Sequence, residues 1–332
     1  MTSAINRRRF IGISAAAAGL ALLPFGASAR AHQGAAVWEG QALGAPAKLI
    51  IHHPDRAFAE RLVQRVTAEV ARLERIFSLY RADSELAELN RTGALAMPSA
   101  EFVDLLGRCR DYWAASHGLF DPTVQPLWLA INAHFSAPDA DPAGPSAMAM
   151  RAALEPVGFD GVRFNRDRIA FARPSMAITL NGIAQGYITD RVVQLLRDNG
   201  ITQSLVNMGE NRAIGTRPDG TPWRIGVADI ETEAEPAAVV EIVNRAVATS
   251  SVAGFRFDTA GRFNHLLDPA HGTSARLYRR LTVIAPDATG ADAWSTAFNL
   301  MEAGAIENIL RTSAGLDVHL TTIAGQPAVL KA

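Results

Sequence analysis

What most limits the folds open to this chain is the uneven spacing of its apolar runs. Strand-length runs crowd the second half at 203–208, 223–228, 238–243, 246–251 and 281–285, and 316–322 with 326–331 reads as a closing hairpin. Helical stripes are few and far apart. A doubly wound parallel sheet would need strand and helix to alternate regularly, and here they do not. The pattern predicts an α+β fold, and the length allows one large domain or two closely packed ones.

The front of the chain supplies a packing helix. Residues 37–44 and 47–53 read as two strands joined by a Gly/Pro turn. Asp55 then stands where a helix N-cap belongs, and Phe58, Leu62, Val66, Val70, Leu73 and Phe77 recur at helical spacing. The stretch F-S-L-Y-R-A-D-S-E-L-A-E-L-N follows, with Asp83 or Ser84 capping a shorter helix. Its Tyr80 is either an aromatic platform for a flat ring or a half-buried packing residue. A third helix, 101–116, ends at His117-Gly118 and carries Cys109 on its apolar side as a core thiol. In L-F-D-P-T-V-Q-P-L-W, Asp121 precedes a proline, which pushes it out of helical geometry and aims an acid from a turn. The Ala-, Pro- and Asp-rich segment 130–150 reads as a mobile surface insertion.

Two stretches carry glycine turns. I-T-L-N-G-I-A-Q-G-Y-I-T-D, 178–190, reads as a strand entering an N-G-x-A-x-G turn and then a helix that runs to Asn199, with Gly200 just past its end. Glycine lets backbone approach a ligand, although the spacing is not the dinucleotide G-x-G-x-x-G. The next strand opens into G-E-N-R-A-I-G, making Asn207, Glu210 and Asn211 candidate polar contacts. F-N-H-L-L-D-P-A-H-G, 263–272, puts His265 at a strand end, as a general base or as a satisfied buried group.

The stretch L-T-V-I-A-P-D-A-T-G-A-D-A-W-S-T-A-F-N-L, 281–300, changes from strand to helix period after Gly290. Asp292 and Thr296 stand four apart, so both side chains leave one face of an exposed helix start. A carboxylate and a hydroxyl so placed suit Mg²⁺, which takes oxygen ligands and keeps one or two carboxylates beside substrate phosphate. On these residues alone another reading stays open, with Asp292 complementing the helix dipole and Thr296 bonding the preceding turn.

Charge and cysteine content remove several classes. The 332 residues carry a formal net charge of −1, so no basic footprint points to nucleic acid. One cysteine excludes an intrachain disulfide and a cysteine metal cluster. At the N-terminus, Arg7, Arg8, Arg9 and Phe10 precede a short apolar run, 11–23, and Ala27-Ser28-Ala29 offers a cleavage site. The run is too short to span a bilayer, so 1–29 reads as an export signal and the mature chain as no integral membrane protein. The arginines resemble the twin-arginine type, which exports folded proteins, and imply a periplasmic location.

Five blocks occur in one order: L-Y-R-A-D-S-E-L, G-L-F-D-P-T-V-Q-P-L, L-N-G-I-A-Q-G-Y, N-M-G-E-N-R-A-I-G with the later H-L-L-D-P-A-H-G, and D-A-W-S-T-A. Together they resemble the ApbE family of FAD:protein FMN transferases over nearly the whole mature chain. The resemblance implies a T-fold-related α+β architecture of mixed sheets with flanking helices, with residues 35–332 as a single domain and the ligand site between two intertwined halves. It implies FAD as substrate, Mg²⁺ as cofactor, AMP as leaving group and a threonine or serine of a partner protein as flavin acceptor. Asp292 and Thr296 would be Mg²⁺ ligands, with a backbone carbonyl of Gly182 or Ala184. Tyr80, Asp121 and the turn carrying Asn207, Glu210 and Asn211 would line the flavin and adenosine pocket, and His265 would be the base. His271, where the family usually carries a threonine, is expected on a turn facing solvent.

One block departs from the family pattern D-L-G-G-I-A-K-G-Y. Here Thr179 replaces the acid, Asn181 a glycine and Gln185 the lysine, so an acid and a base are lost together at positions expected to contact FAD. This form, with the twin-arginine signal, resembles the NosX-like branch, which implies an acceptor that is a membrane-bound FMN-binding regulator for nitrous oxide reductase, or an electron-transfer subunit. An FAD pyrophosphatase and a non-catalytic periplasmic flavin-binding protein are the alternative functions.

Overall fold

The computed structural model describes residues 35–227 and 236–332; the export-signal reading of 1–29 and Ala228 lie outside them. In chain order, β1 (Ala35–Ala42) and β2 (Ala45–His52) precede α1 (Arg56–Phe77), α2 (Glu85–Thr92), β3 (Ala94–Ala96) and α3 (Ala100–Ala115). Next come α4 (Gln125–Phe135), α5 (Ala147–Leu154), and the hairpin of β4 (Val162–Phe164) and β5 (Arg168–Phe171). The second half runs α6 (Ala184–Asp198), β6 (Ser204–Asn207), β7 (Asn211–Ile214), β8 (Trp223–Val227), β9 (Ala238–Ile242) and β10 (Ala246–Ser251). It closes with β11 (Tyr278–Ala285), α7 (Ala288–Phe298), α8 (Ala303–Leu310), β12 (Asp317–Thr322) and β13 (Pro327–Lys331).

One antiparallel eight-stranded sheet, β1-β2-β6-β7-β10-β11-β12-β13, joins the first strands to the last. The β1–β2 hairpin turns at Leu43-Gly44, both at positive φ, as a two-residue turn demands. Strand β2 is apolar on both faces because both are covered. Leu49 and Ile51 belong to the large core with α1, α6 and α7, while Ile50 packs with Trp223, Ile225, Val240 and Ile242 of the separate β8–β9 ladder.

Helix α1 starts because Asp55 accepts the Phe58 N–H at 2.9 Å, and it holds because Leu62, Val66, Val70 and Leu73 are buried along one stripe. Each such side chain contributes roughly 1.5–3 kcal/mol of burial. Ser84, not Asp83, caps α2, and Cys109 is buried in α3. The α+β expectation is met.

Three local expectations change. Segment 130–150 is not a loop throughout: α4 extends to Phe135, and Ser146 caps α5. Leu127 and Ile131 anchor α4 against Phe257 and Leu267. Residues 178–180 form no strand; Asn90 instead donates to the Ile178 carbonyl and accepts its N–H, both at 2.8 Å, standing in for a neighbouring strand. Helix α7 begins three residues before Ala291, because Asp287 accepts the Gly290 N–H at 2.7 Å and caps it there.

Candidate active site

Helices α6 and α7 meet closely enough to bring their glycine turn and acid together. A Cβ on Gly186 would lie 2.2 Å from the Ala288 carbonyl oxygen, so only glycine permits the approach. The Gly186 N–H then reaches Asp292, donating to Oδ2 at 3.0 Å. The start of α7 is fixed from α6 by Asp190, which accepts the N–H groups of Ala288 and Thr289, both at 2.8 Å, and pairs with Arg212 of β7. Asp190 was absent from the residues picked out of the sequence. Its signal was an acid closing the glycine block, with nothing local to say what it caps.

A cleft forms beside this junction, lined by Asp121, Thr179, Gly182, Gln185, Glu210, His265, Asp292 and Thr296. Trp128, Asn181, Thr249 and Ser250 also face it, and no lysine or arginine is among the residues lining it. The walls come from distant parts of the chain: the turn before α4, the start of α6, the β6–β7 turn, β10, the loop after it, and α7.

Asp292 does not sit on an exposed helix start. It lies in the second turn of α7 and is 4% exposed. Burial pushes its carboxyl up to about 7; the Gly186 N–H opposes the rise and the Asp190 charge adds to it. Thr296 follows one turn on, so close to Gly182 that a Cβ there would stand 2.8 Å from the Thr296 Oγ1.

Glu210 is the second deep acid, and its Oε2 has no hydrogen-bond partner among the described residues. Burial drives its carboxyl well above the usual range and the Asp292 charge adds to this, while the Thr249 N–H opposes. Gly209, at φ +106°, lets Gln185 pack where a Cβ would come within 2.5 Å of its Cδ.

Asp121 forms the far wall in extended backbone, as the following proline requires. It accepts the Thr123 hydroxyl at 2.5 Å, the Thr123 N–H at 2.8 Å and the Phe159 N–H at 3.0 Å. Burial still leaves its carboxyl above the ordinary value, since these donors and Trp113 only partly offset desolvation.

His265 lies in a loop rather than at a strand end. Its Nδ1 is 3.3 Å from the Phe255 carbonyl oxygen, an acceptor that selects the Nδ1–H tautomer and leaves the lone pair on Nε2. Burial lowers the imidazole to about 4, with the Phe255 contact opposing, so the ring is neutral at ordinary pH. His271 is exposed on its turn, 2.8 Å from Asp268.

The remaining sequence candidates stand off the cleft wall. Tyr80 is partly exposed, and its hydroxyl accepts from the Asn181 amide at 3.3 Å, one residue back from the lining. Ala184 is buried at the start of α6. Asn207 accepts the Gly209 N–H at 2.9 Å and shapes the turn that presents Glu210. Asn211 is buried in β7 with its amide unpartnered among the described residues.

The ApbE family profile matches residues 43–320. A FAD:protein FMN transferase of Klebsiella pneumoniae is 28% identical over 304 residues, covering 88% of this chain and 85% of that protein. One from Treponema pallidum is 28% identical over 289 residues, covering 76% and 78%. Among solved structures, the apo flavinyl transferase ApbE of Pseudomonas stutzeri superposes with a TM-score of 0.74 at 28% identity, covering 90% of this chain and 95% of its own. The ApbE protein of Thermotoga maritima gives 0.77 at 25%, covering 89% and 97%.

Proposed function

We propose, from the premise that this chain belongs to the ApbE family, that it is a FAD:protein FMN transferase. It moves FMN from FAD to a threonine or serine hydroxyl of an exported acceptor protein and releases AMP. The observation that carries the reading is the cleft itself. It holds the acids Asp121, Glu210 and Asp292 beside a neutral imidazole, with no lysine or arginine among the described residues that line it to meet a diphosphate.

Such a set repels a diphosphate unless a cation joins it, and its oxygen donors suit a hard one. Asp292 and Thr296, with a backbone carbonyl of Gly182 or Ala184, would hold Mg²⁺. Glu210 Oε2, without a hydrogen-bond partner among the described residues, and the burial that raises the Asp292 carboxyl are what such a cation would offset. Among the described residues no three His, Cys, Asp or Glu side chains converge as a metal cluster, and hydroxyl, backbone and substrate oxygens would complete the shell. When bound, the metal neutralises the diphosphate and its leaving phosphate.

His265 supplies the proton acceptor. Its Nε2 takes the acceptor hydroxyl's proton as that oxygen bonds to the FMN-side phosphorus. The bond from that phosphorus to the bridging oxygen breaks, and AMP departs with the electron pair. An anion beside the ring would raise its basicity above this depressed value. Asp121, stiffened by three hydrogen bonds, orients groups rather than moving protons. Thr179 and Gln185 line the same wall and offer hydrogen bonds where the family pattern carries an acid and a lysine.

The twin-arginine signal supports export to the periplasm, and the L-N-G-I-A-Q-G-Y block supports the NosX-like branch, with a membrane-bound FMN-binding regulator or electron-transfer subunit as acceptor. Incubation of the mature protein with FAD, Mg²⁺ and such an acceptor tests the activity. Covalently fluorescent acceptor and AMP are expected. Free FMN with AMP would make the chain a pyrophosphatase, and unchanged FAD would make it a flavin-binding protein. Export is tested by Arg7→Lys/Arg8→Lys, which should leave the protein in the cytoplasm.

A further inference from the structure

We propose that a basic, aromatic-walled groove along β4 docks an acidic, extended segment of the acceptor protein, an inference that rests on the transferase reading above. The groove has a volume of about 740 Å³ and is lined by Arg110, Trp113, Phe159, Arg163, Phe164 and Arg168, among others. Arg110 lies over the Phe164 ring, 5.2 Å from its centroid. Arg163 and Arg168 leave one face of the β4–β5 hairpin, since Arg163 pairs with Ala170 and Arg168 is two residues from it.

No carboxylate pairs with Arg110, Arg163 or Arg168 among the described residues. The one acid among the described residues lining the groove, Asp160, is already 3.5 Å from Arg173. In a chain of net charge −1 this local excess of cations is a complement to a negative ligand. The groove also follows an open edge, because β4 is the outer strand of the order β3-β5-β4. An extended chain can lie along such an edge, its carboxylates on the guanidiniums and its apolar groups on the aromatic walls. A flat bilayer fits a recessed groove poorly, so an acidic protein segment is favoured over a lipid surface.

Position links the groove to the cleft. Phe159 and Trp113 line the groove, and both donate to Asp121, which lines the cleft. Two residues of the groove wall thus hold a residue of the cleft wall, and a segment docked in the groove keeps its protein beside the cleft. Macromolecular acceptors need such a hold, because a lone threonine hydroxyl gives little binding of its own.

The test uses the mature protein and two variants, Arg163→Glu/Arg168→Glu and Arg163→Gln/Arg168→Gln. Fluorescence anisotropy follows a labelled peptide of alternating Glu and Ser, with a Lys/Ser peptide as control. The native protein should bind the acidic peptide alone, more weakly as salt rises. The Glu variant should lose about tenfold or more in affinity and the Gln variant an intermediate amount, both with FAD binding unchanged. Equal binding by all three proteins, or no binding by the native one, would overturn the proposal. So would binding to phosphatidylglycerol vesicles that the variants lose while the peptide is ignored. Covalent flavin transfer is read separately: peptide binding without transfer would sink the transferase reading and leave the groove's chemistry standing.

Discussion

Replacing Asp292 by Asn should stabilise the metal-free protein while removing its response to Mg²⁺. Asp292 is buried, has one hydrogen bond from Gly186, and stands near the acids Asp190 and Glu210. Its carboxyl is raised to about 7 in the fold, against about 3.9 in an unfolded chain. The folded value lies above the unfolded one, so the folded state binds more protons between them. Stability therefore falls as pH rises from about 4 to about 7 and stays reduced above that. The full interval corresponds to about 4 kcal/mol, and local relaxation leaves a gain of roughly 1–4 kcal/mol for a neutral amide at pH 8. Asn keeps an oxygen to accept the Gly186 N–H. Thermal unfolding in EDTA should show the variant higher by roughly 2–4 °C for each kcal/mol at pH 8, with no difference near pH 4. Mg²⁺ at about a hundred times its dissociation constant should add about 2.7 kcal/mol to the native protein and nothing comparable to the variant. A variant less stable than the native protein at pH 8 without metal, or a difference independent of pH, would refute the argument.

Three further outcomes are expected. His265→Ala should bind FAD and Mg²⁺ nearly normally yet transfer FMN roughly 10²–10⁴-fold more slowly. Its residual rate should rise at high pH, whereas His271→Ala, exposed and held by Asp268, should match the native enzyme in stopped-assay kinetics. Asp190→Asn should cost about 2–4 kcal/mol in denaturant unfolding, because it uncouples the start of α7 from α6 and leaves Arg212 without its carboxylate. A weaker apparent affinity for Mg²⁺ should accompany that loss. Gly186→Ala should destabilise by about 3 kcal/mol or fail to fold, since its Cβ would meet the Ala288 backbone oxygen at 2.2 Å; circular dichroism of the purified variant checks this.

Much of the architecture was legible in local pattern. The α1 stripe, the Asp55 cap, the Gly200 stop and the closing β12–β13 pair depend on neighbours a few residues away, which sequence periodicity reports directly; the first hairpin was legible too, but its turn falls at Leu43-Gly44 and Pro46 joins β2. Segment 130–150 misled because its alanines and prolines hid the Leu127/Ile131 spacing that anchors α4. The strand expected at 178–180 failed because Asn90, 88 residues away, took over the partner's hydrogen bonds.

The chemical character of the site was a different matter. Sequence spacing put Asp292 and Thr296 on one helix face, marked Glu210 as a polar residue near a glycine turn and offered His265 as a base at a strand end. Only the tertiary structure buried Asp292, set Gly186 against it across 106 residues of chain and left Glu210 Oε2 without a partner. Only it held the His265 ring neutral against the Phe255 carbonyl. Periodicity records which side of an element faces inward, whereas a carboxyl's proton affinity depends on how much water and counter-charge the rest of the fold removes from around it.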